Sequence, residues 1–99
     1  MIGAAMQIEE LIWLDEVVDK LARKHNVSPD EVRQVFENRP RFRYISKGRR
    51  NKDKDVYAAY GQTDDGRYLT VFFIRKLGGA ALIVSAREID DKERKRYGR

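Results

Sequence analysis

Residues Tyr68 to Arg87, YLTVFFIRKLGGAALIVSAR, constrain the fold of this chain more than any other stretch. The run from Tyr68 to Ile74 is rich in β-branched and aromatic residues, and both of its alternating sets contain apolar side chains. That pattern predicts a central strand covered on both faces. The pair Gly78-Gly79 predicts a turn into a second strand. Alternation then predicts two faces for the second strand: Leu82, Val84 and Ala86 toward the core, and Ile83, Ser85 and Arg87 toward a polar side.

Two helices are predicted ahead of this hairpin. The first begins at Asp15 and ends at Asn26, and its apolar stripe has helical spacing: Val17, Val18, Leu21, Ala22 and His25. The start of the second combines an N-cap, a capping box and a hydrophobic staple: Ser28, Pro29 and Glu31, with Val27 and Val32. Pro40 predicts its end near Asn38. The short connection between the two predicts a helical hairpin.

The remaining segments complete an α+β prediction. Strands are predicted near Ile8 to Trp13, at Phe42 to Ile45, and at Asp55 to Gln62, and a short helix is predicted after Asp90. Consecutive strands with tight turns predict an antiparallel meander, and the helical hairpin is expected to cover one face of it. At 99 residues, the whole chain 1–99 is expected to form one domain.

Charge is distributed unevenly along the chain. Residues 1–38 contain 8 acidic and 4 basic side chains, whereas residues 39–99 contain 8 acidic and 17 basic ones, so the net charge of +5 is −4 plus +9. The segment from Arg39 to Lys54 interleaves Arg with Phe42 and Tyr44, as a surface for single-stranded nucleic acid does. Arg43, Arg49 and Arg50 are therefore predicted to contact RNA. A solvated basic face is the alternative.

Several classes of site are disfavoured. The chain has no cysteine and one histidine, so a thiolate site is excluded and a dedicated zinc site is not expected. Gly78-Gly79 matches no phosphate-binding loop. No apolar run approaches the ~18 residues of a membrane span, and no signal peptide is recognised, so a cytoplasmic protein without a cofactor is expected.

The available side chains favour chemistry on RNA, because its 2′-hydroxyl can attack the adjacent phosphate without a metal ion. That reaction needs a base, a cation for the developing phosphorane charge and a donor for the leaving oxygen. The candidates are Lys24, His25, Asp55, Arg49, Arg50, Ser85, Arg87, Arg94 and Tyr97. Structural roles remain open for some of them: packing for His25 and Tyr97, a structural hydroxyl for Ser85, and an ion pair with Asp90 or Glu93 for Arg87.

Three groups of residues occur in a distinctive order: Lys24-His25-x-Val27-Ser28 before Val35-Phe36-Glu37; Gly61 and Asp64-x-Gly66-Arg67; and Ile83-Val84-Ser85-Ala86-Arg87 before Lys92-Glu93-Arg94 and Tyr97. In this combination the chain, from Trp13 to Tyr97, resembles the BrnT family of toxins from bacterial type II toxin–antitoxin systems. The resemblance implies a fold similar to RelE-like toxins and a ribonuclease that arrests translation. It also implies a BrnA-like antitoxin partner, whose ribbon-helix-helix portion binds operator DNA, in a 2:2 complex.

The resemblance implies catalytic roles at matching positions, with Lys24, His25, Arg87, Arg94 and Tyr97 as catalytic residues and Ser85 as an RNA contact. The family usually opens its third strand with a Glu-Arg pair, where this chain has Asp55-Val56. The acid is one methylene shorter here and the cation is missing. A catalytically weak module that binds RNA or an antitoxin is therefore the alternative function.

Overall fold

The computed structural model describes residues 7–46, 55–90, 92 and 95. Four of its elements are helical: α1 (Asp15–Lys20), a π-helical segment (Leu21–His25) that continues it, α2 (Pro29–Glu37), and a short 3-10 turn (Leu77–Gly79) between the last two strands. Five are strands: β1 (Glu10–Ile12), β2 (Arg41–Ser46), β3 (Val56–Gln62), β4 (Tyr68–Lys76) and β5 (Ala80–Glu88). The predicted C-terminal helix falls mostly outside the described residues. None of the helices in the described ranges is long and apolar enough to cross a membrane.

The strands form one sheet in the order β1-β5-β4-β3-β2. Strands β2 to β5 pair with their chain neighbours in antiparallel fashion, which confirms the predicted meander and the α+β class. Strand β1 pairs with β5 in parallel and meets only Ala80, Ala81 and Leu82. The sequence predicted β1 but gave no sign of its partner, because a three-residue strand carries too little pattern to fix a pairing.

The helices cover one face of the sheet, which we call the helix face. Its core is built from fully buried apolar side chains of the helical segments and of the central strands: Leu21, Val32, Val35, Ala59, Leu69, Val71, Phe73, Ile83 and Ala86. The rings of Phe36, Phe42 and Tyr57 pack around Phe73. This apolar layer holds α1 and α2 against the middle of the sheet.

Local signals at the helix ends are confirmed. The Glu31 amide donates to the Ser28 hydroxyl and the Ser28 amide donates to the Glu31 carboxylate, which is the predicted capping box. The first helix ends at Asn26 in the left-handed conformation, with φ 53°. Its last turn is π-helical, however, and this wider turn leaves Ala22 exposed although 3.6-residue spacing predicted it in the buried stripe.

A β-bulge in β5 corrects the predicted faces of that strand. Phe72 of β4 pairs with Ser85 and Phe73 pairs with Ile83, so Val84 is the extra residue. The bulge shifts the alternation by one position. Ile83 is consequently buried in the core, and Leu82 lies on the same face as Ser85 and Arg87. The prediction that Leu82 faces the core and Ile83 the polar side was therefore wrong.

Candidate active site

The face of the sheet opposite the helices, which we call the cationic face, carries several of the predicted site residues. Phe42 and Ala86 belong to the core on the helix face, so alternation places Arg41 and Arg43 of β2 and Arg87 of β5 on the opposite side. Ser85, partly buried, lies there as well, because it is two residues before Arg87 with no bulge between them. The strands therefore gather three guanidinium groups and a hydroxyl on one surface.

Strand register aligns these residues in two rows across the sheet. The first row is Arg41–Tyr60–Thr70–Arg87, and the second is Arg43–Ala58–Phe72–Ser85. Arg41 and Arg87 are separated by three strand spacings, or about 14 Å between their Cα atoms at ~4.8 Å a strand. Arg41 and Arg87 thus form the two ends of the first row, and an extended anion could contact both.

Arg87 contacts the Phe72 ring and the main chain of Glu88. The guanidinium carbon lies 5.6 Å from the centre of the Phe72 ring, a cation–π distance. Its Nη1 also donates to the main-chain oxygen of Glu88 at 3.2 Å. The side chain is only partly buried, so packing on the Phe72 ring restricts it without removing it from solvent.

Thr70 is the buried residue between the two ends of the first row. Its side chain is fully buried, and within the described part of the chain its Oγ1 has no hydrogen-bond partner. An unsatisfied buried hydroxyl is costly. Thr70 pairs with Arg87 across β4 and β5, so this unsatisfied hydroxyl lies within the first row, next to Arg87.

Arg67 fixes the end of the first helix against the rest of the fold. Its guanidinium donates to the main-chain oxygens of His25 at 3.2 Å and Asn26 at 2.7 Å. It also forms ion pairs with Glu31 at 3.0 Å and with Glu88 at 2.8 Å. Burial lowers the pKa of Arg67, but hydrogen bonds and charge interactions with both carboxylates outweigh burial and raise that pKa above its ordinary value.

This network brings His25 to the same end of β5 as Arg87. His25 closes the π-helical segment and is partly buried, whereas the preceding Lys24 is exposed. Both residues lie on the helix side of the sheet, while Arg87 lies on the cationic face. The π-helical segment that contains Lys24 and His25 contacts β5, and β1 pairs with the beginning of that strand.

Asp55 lies far from these residues. Asp55 immediately precedes β3 and is five residues before Tyr60, which belongs to the row that contains Arg87. At ~3.3 Å a residue, Asp55 is therefore about 17 Å from that row along the strand direction. The pKa of the Tyr44 hydroxyl is raised above its ordinary value. The largest cause is removal of the hydroxyl from water, and the electrostatic effects of Asp55 and Tyr57 add to it. The structure therefore groups Asp55 with two tyrosines and does not bring it together with Arg87 or His25.

The other predicted residues fall outside the part of the chain that the structure describes: Arg49, Arg50, Arg94 and Tyr97. Among the described residues, no three His, Asp or Glu side chains are grouped so that they could hold a metal ion. Sequence reasoning missed the position of Arg41 on the cationic face and the ion-pair network of Arg67. Arg41 was detectable, because it alternates with Phe42 exactly as Arg43 does.

A protein-family model described as the ribonuclease toxin BrnT of type II toxin–antitoxin systems matches residues 13–93. Among solved structures, the chain is similar to the 1.1 Å crystal structure of the Brucella abortus ribonuclease toxin BrnT. The TM-score is 0.60 at 17% identity, over 83% of this chain and 97% of that chain, which shows a shared fold. No curated protein matches the chain.

Proposed function

Since this chain belongs to the BrnT family of ribonuclease toxins from type II toxin–antitoxin systems, we propose that it is an endoribonuclease that cuts RNA through 2′-hydroxyl attack, without a metal ion. Cutting RNA in this way inhibits translation. The observation that carries the proposal is the position of Arg87, which the strand register aligns with Arg41 on the cationic face.

Arg87 is the group we assign to the developing phosphorane charge. Guanidinium binds phosphate oxygens through paired donors, and a cation held in place before the reaction stabilises a transition state best. The Phe72 ring restricts Arg87 in this way. Arg43 and Ser85 share a row beside it and contact the RNA backbone. The site is dominated by cations, which attract RNA and repel a metal cation.

Lys24 and His25 supply the proton transfers at the neighbouring edge of β5. Histidine suits this role because its ordinary pKa is close to neutral pH. Arg94 and Tyr97 are assigned to the same site through the family resemblance and lie outside the described residues. Asp55 is too far from Arg87 to share its reaction centre, so we assign it a role in the surrounding structure instead.

A type II toxin acts with an antitoxin, and we propose a BrnA-like partner here. Its ribbon-helix-helix portion binds operator DNA, and the two proteins assemble as a 2:2 complex in the cytoplasm. Residues 39–99 carry a net charge of +9, so an acidic or groove-filling segment would neutralise the face that RNA needs. Occupancy of Arg87 and Arg41 by the antitoxin then blocks cleavage directly.

Induced expression in a bacterial host tests the toxin function. The wild type should arrest growth and degrade RNA, whereas Arg87→Ala should do neither while its melting temperature remains close to wild type. Arg75→Ala is the matched control, because Arg75 is an exposed arginine on β4 outside both rows. Unimpaired growth of cells in which the wild-type protein accumulates to the same level as the two variants would reject the toxin proposal.

Purified protein tests the mechanism separately. Cleavage through the 2′-hydroxyl should persist in excess chelator and should leave 2′,3′-cyclic phosphate ends. A substrate with 2′-deoxyribose at the cut position should resist cleavage. Activity that returns only when magnesium is added would contradict 2′-hydroxyl attack without disproving ribonuclease activity.

One observation favours a second function, a catalytically weak module that binds an antitoxin or RNA. A third row on the cationic face is apolar, with Val56, Ile74 and Leu82 aligned across three strands. Val56 stands where the family usually has the basic member of its Glu-Arg pair. An apolar row beside two cationic ones suits protein binding better than phosphate binding, and stable antitoxin binding by a protein that leaves RNA intact would establish this function.

A further inference from the structure

We propose that a groove beside the first cationic row binds one nucleotide of the RNA strand next to the cut, an inference that rests on the proposed ribonuclease function. The groove has a volume of about 640 Å³ and is lined by Asn38, Arg39, Arg41, Tyr60, Gln62 and Tyr68. This volume lies within the usual range of small-molecule sites, ~300–1,000 Å³. It is therefore large enough for a base with its sugar and phosphate.

The groove opens at the same end of the sheet as Arg87. Arg41 and Tyr60 belong to the row that ends at Arg87. Gln62 and Tyr68 form the next row along β3 and β4, which is about 7 Å further at ~3.3 Å a residue. An RNA strand with its scissile phosphate at Arg87 thus has its neighbouring nucleotide within reach of this groove.

The end of α2 forms a fixed wall of the groove. The Asn38 side-chain amide donates to the main-chain oxygen of Gln62 at 2.9 Å and to the carboxylate of Asp64 at 3.0 Å. The Asp64 amide in turn donates to the Gln34 side chain at 2.9 Å. These three bonds tie the helix end to the β3–β4 turn, so the groove is formed before any ligand arrives.

Backbone strain occurs at the same wall. Arg39 has φ 55°, a left-handed conformation that is uncommon for a bulky residue and costs of order 1 kcal/mol or more. It precedes Pro40, whose ring would lie 3.2 Å from a Cβ added at Gly61. The close approach of Pro40 to β3 and the sharp turn at Arg39 bring a second arginine to the groove beside Arg41.

The lining matches the chemistry of a nucleotide. Two guanidinium groups suit phosphate oxygens, and the partly exposed Tyr68 offers a ring for a base. The side-chain NH2 groups of Asn38 and Gln62 donate within the groove wall, and the side-chain oxygens of these residues can accept hydrogen bonds from base edges. Asp64 adds one negative charge, so the groove is only moderately cationic and favours a single phosphate beside a stacked base over a run of phosphates.

Binding of a short single-stranded RNA with 2′-deoxyribose at the cut position tests the groove without requiring cleavage. Arg41→Gln should weaken binding about tenfold and reduce the slope of log K against log salt concentration by about 0.7, the value for one phosphate contact on a single strand. Arg75→Gln removes the same charge away from the groove and should leave the slope unchanged. Equal effects of the two substitutions would show a general charge effect and overturn the proposal.

Arg39→Asn is a second test, and this substitution should leave the fold intact. Asn accepts a left-handed backbone better than Arg does, so this variant should melt no lower than wild type. It should nevertheless weaken RNA binding severalfold and relax the preference for the base next to the cut. Wild-type affinity and preference in a folded Arg39→Asn protein would overturn the groove assignment.

The two proposals fail in distinguishable ways. If wild-type protein cleaves RNA but neither substitution alters binding, the groove proposal fails and the ribonuclease stands. If wild-type protein binds the oligonucleotide without cleaving RNA and Arg41→Gln weakens that binding, the groove stands and the catalytic proposal fails.

Discussion

The guanidinium of Arg67 donates a hydrogen bond to the main-chain oxygen of His25, at 3.2 Å. The same group pairs with Glu88, the residue after Arg87 in β5. One side chain therefore sets the position of His25 relative to the strand that carries Arg87, the proposed catalytic arginine. Because helix ends leave carbonyl oxygens without helical partners, a cation is well suited to this position.

Replacing Arg67 should cost more stability than replacing a similarly paired arginine at the surface. Arg67→Met leaves Glu31 without its partner in a partly buried site, where the Arg67 side chain is 22% exposed. We expect the free energy of unfolding to fall by about 2 to 3 kcal/mol. Urea unfolding at neutral pH measures this loss.

Arg33→Met is the matched control, because Arg33 also pairs with two carboxylates, those of Asp30 and Glu37. The Arg33 side chain is 51% exposed, and solvent screens such pairs. Its unfolding midpoint should stay close to wild type. Similar losses for both variants would mean that burial does not distinguish the two networks.

Local sequence signals predicted the parts of this fold that depend on neighbouring residues. The Ser28–Glu31 capping box joins residues three positions apart, so the motif alone contained it. The partners of the Arg67 guanidinium are distant in sequence, and no local pattern near Arg67 predicts them. The bulge at Val84 was equally hidden, because it depends on which residues of β4 pair with β5.

The same distinction applies to the candidate site. Ser85 and Arg87 were correctly predicted to share a face, since the bulge lies before both of them. Asp55 was grouped with them by chemistry and by family resemblance, neither of which specifies distance. Only the strand register places Asp55 about 17 Å along β3 from the row of Arg87, at ~3.3 Å a residue.

His25→Gln should separate catalysis from stability. The bond from Arg67 reaches the His25 main chain, which any residue retains, so we expect less than about 1 kcal/mol of destabilisation. Loss of a general acid or base should slow RNA cleavage at least 100-fold, the lower end of the usual ~10² to 10⁴ contribution. Single-turnover cleavage and thermal melting measure the two effects. A large fall in melting temperature would instead assign the ring to packing.

The Tyr44–Asp55 neighbourhood should respond to alkaline pH. The folded-state pKa of Tyr44 is raised, so its contribution to stability is present below the unfolded value of about 10 and is lost as the pH rises through the folded value. Asp55→Asn removes a negative charge and should lower the Tyr44 pKa. Tyr44→Phe should reduce the loss of stability above pH ~10. NMR titration of the labelled ring measures the pKa, and an unchanged value in Asp55→Asn would contradict the charge interaction.

Gly61→Ala should destabilise the protein through a steric contact. A Cβ at this position would lie 3.2 Å from both the Pro40 Cβ and the Val35 Cγ1, closer than ordinary packing. Overpacking of this kind should cost about 1 to 2 kcal/mol, measured by urea unfolding. The same shift would displace Pro40, and with it Arg39, so RNA affinity should fall together with stability.

A double-mutant cycle identifies the contact responsible. Val35→Ala removes one of the two close atoms, so Gly61→Ala should cost less in that background than in the wild type. Val32→Ala is the matched control, because Val32 is equally buried on α2 but is not among the atoms nearest the new methyl group. The effects of Gly61→Ala and Val32→Ala should add. Additivity with Val35→Ala as well would place the strain at Pro40 alone, which would then be the residue that sets how closely the Arg39 turn approaches β3.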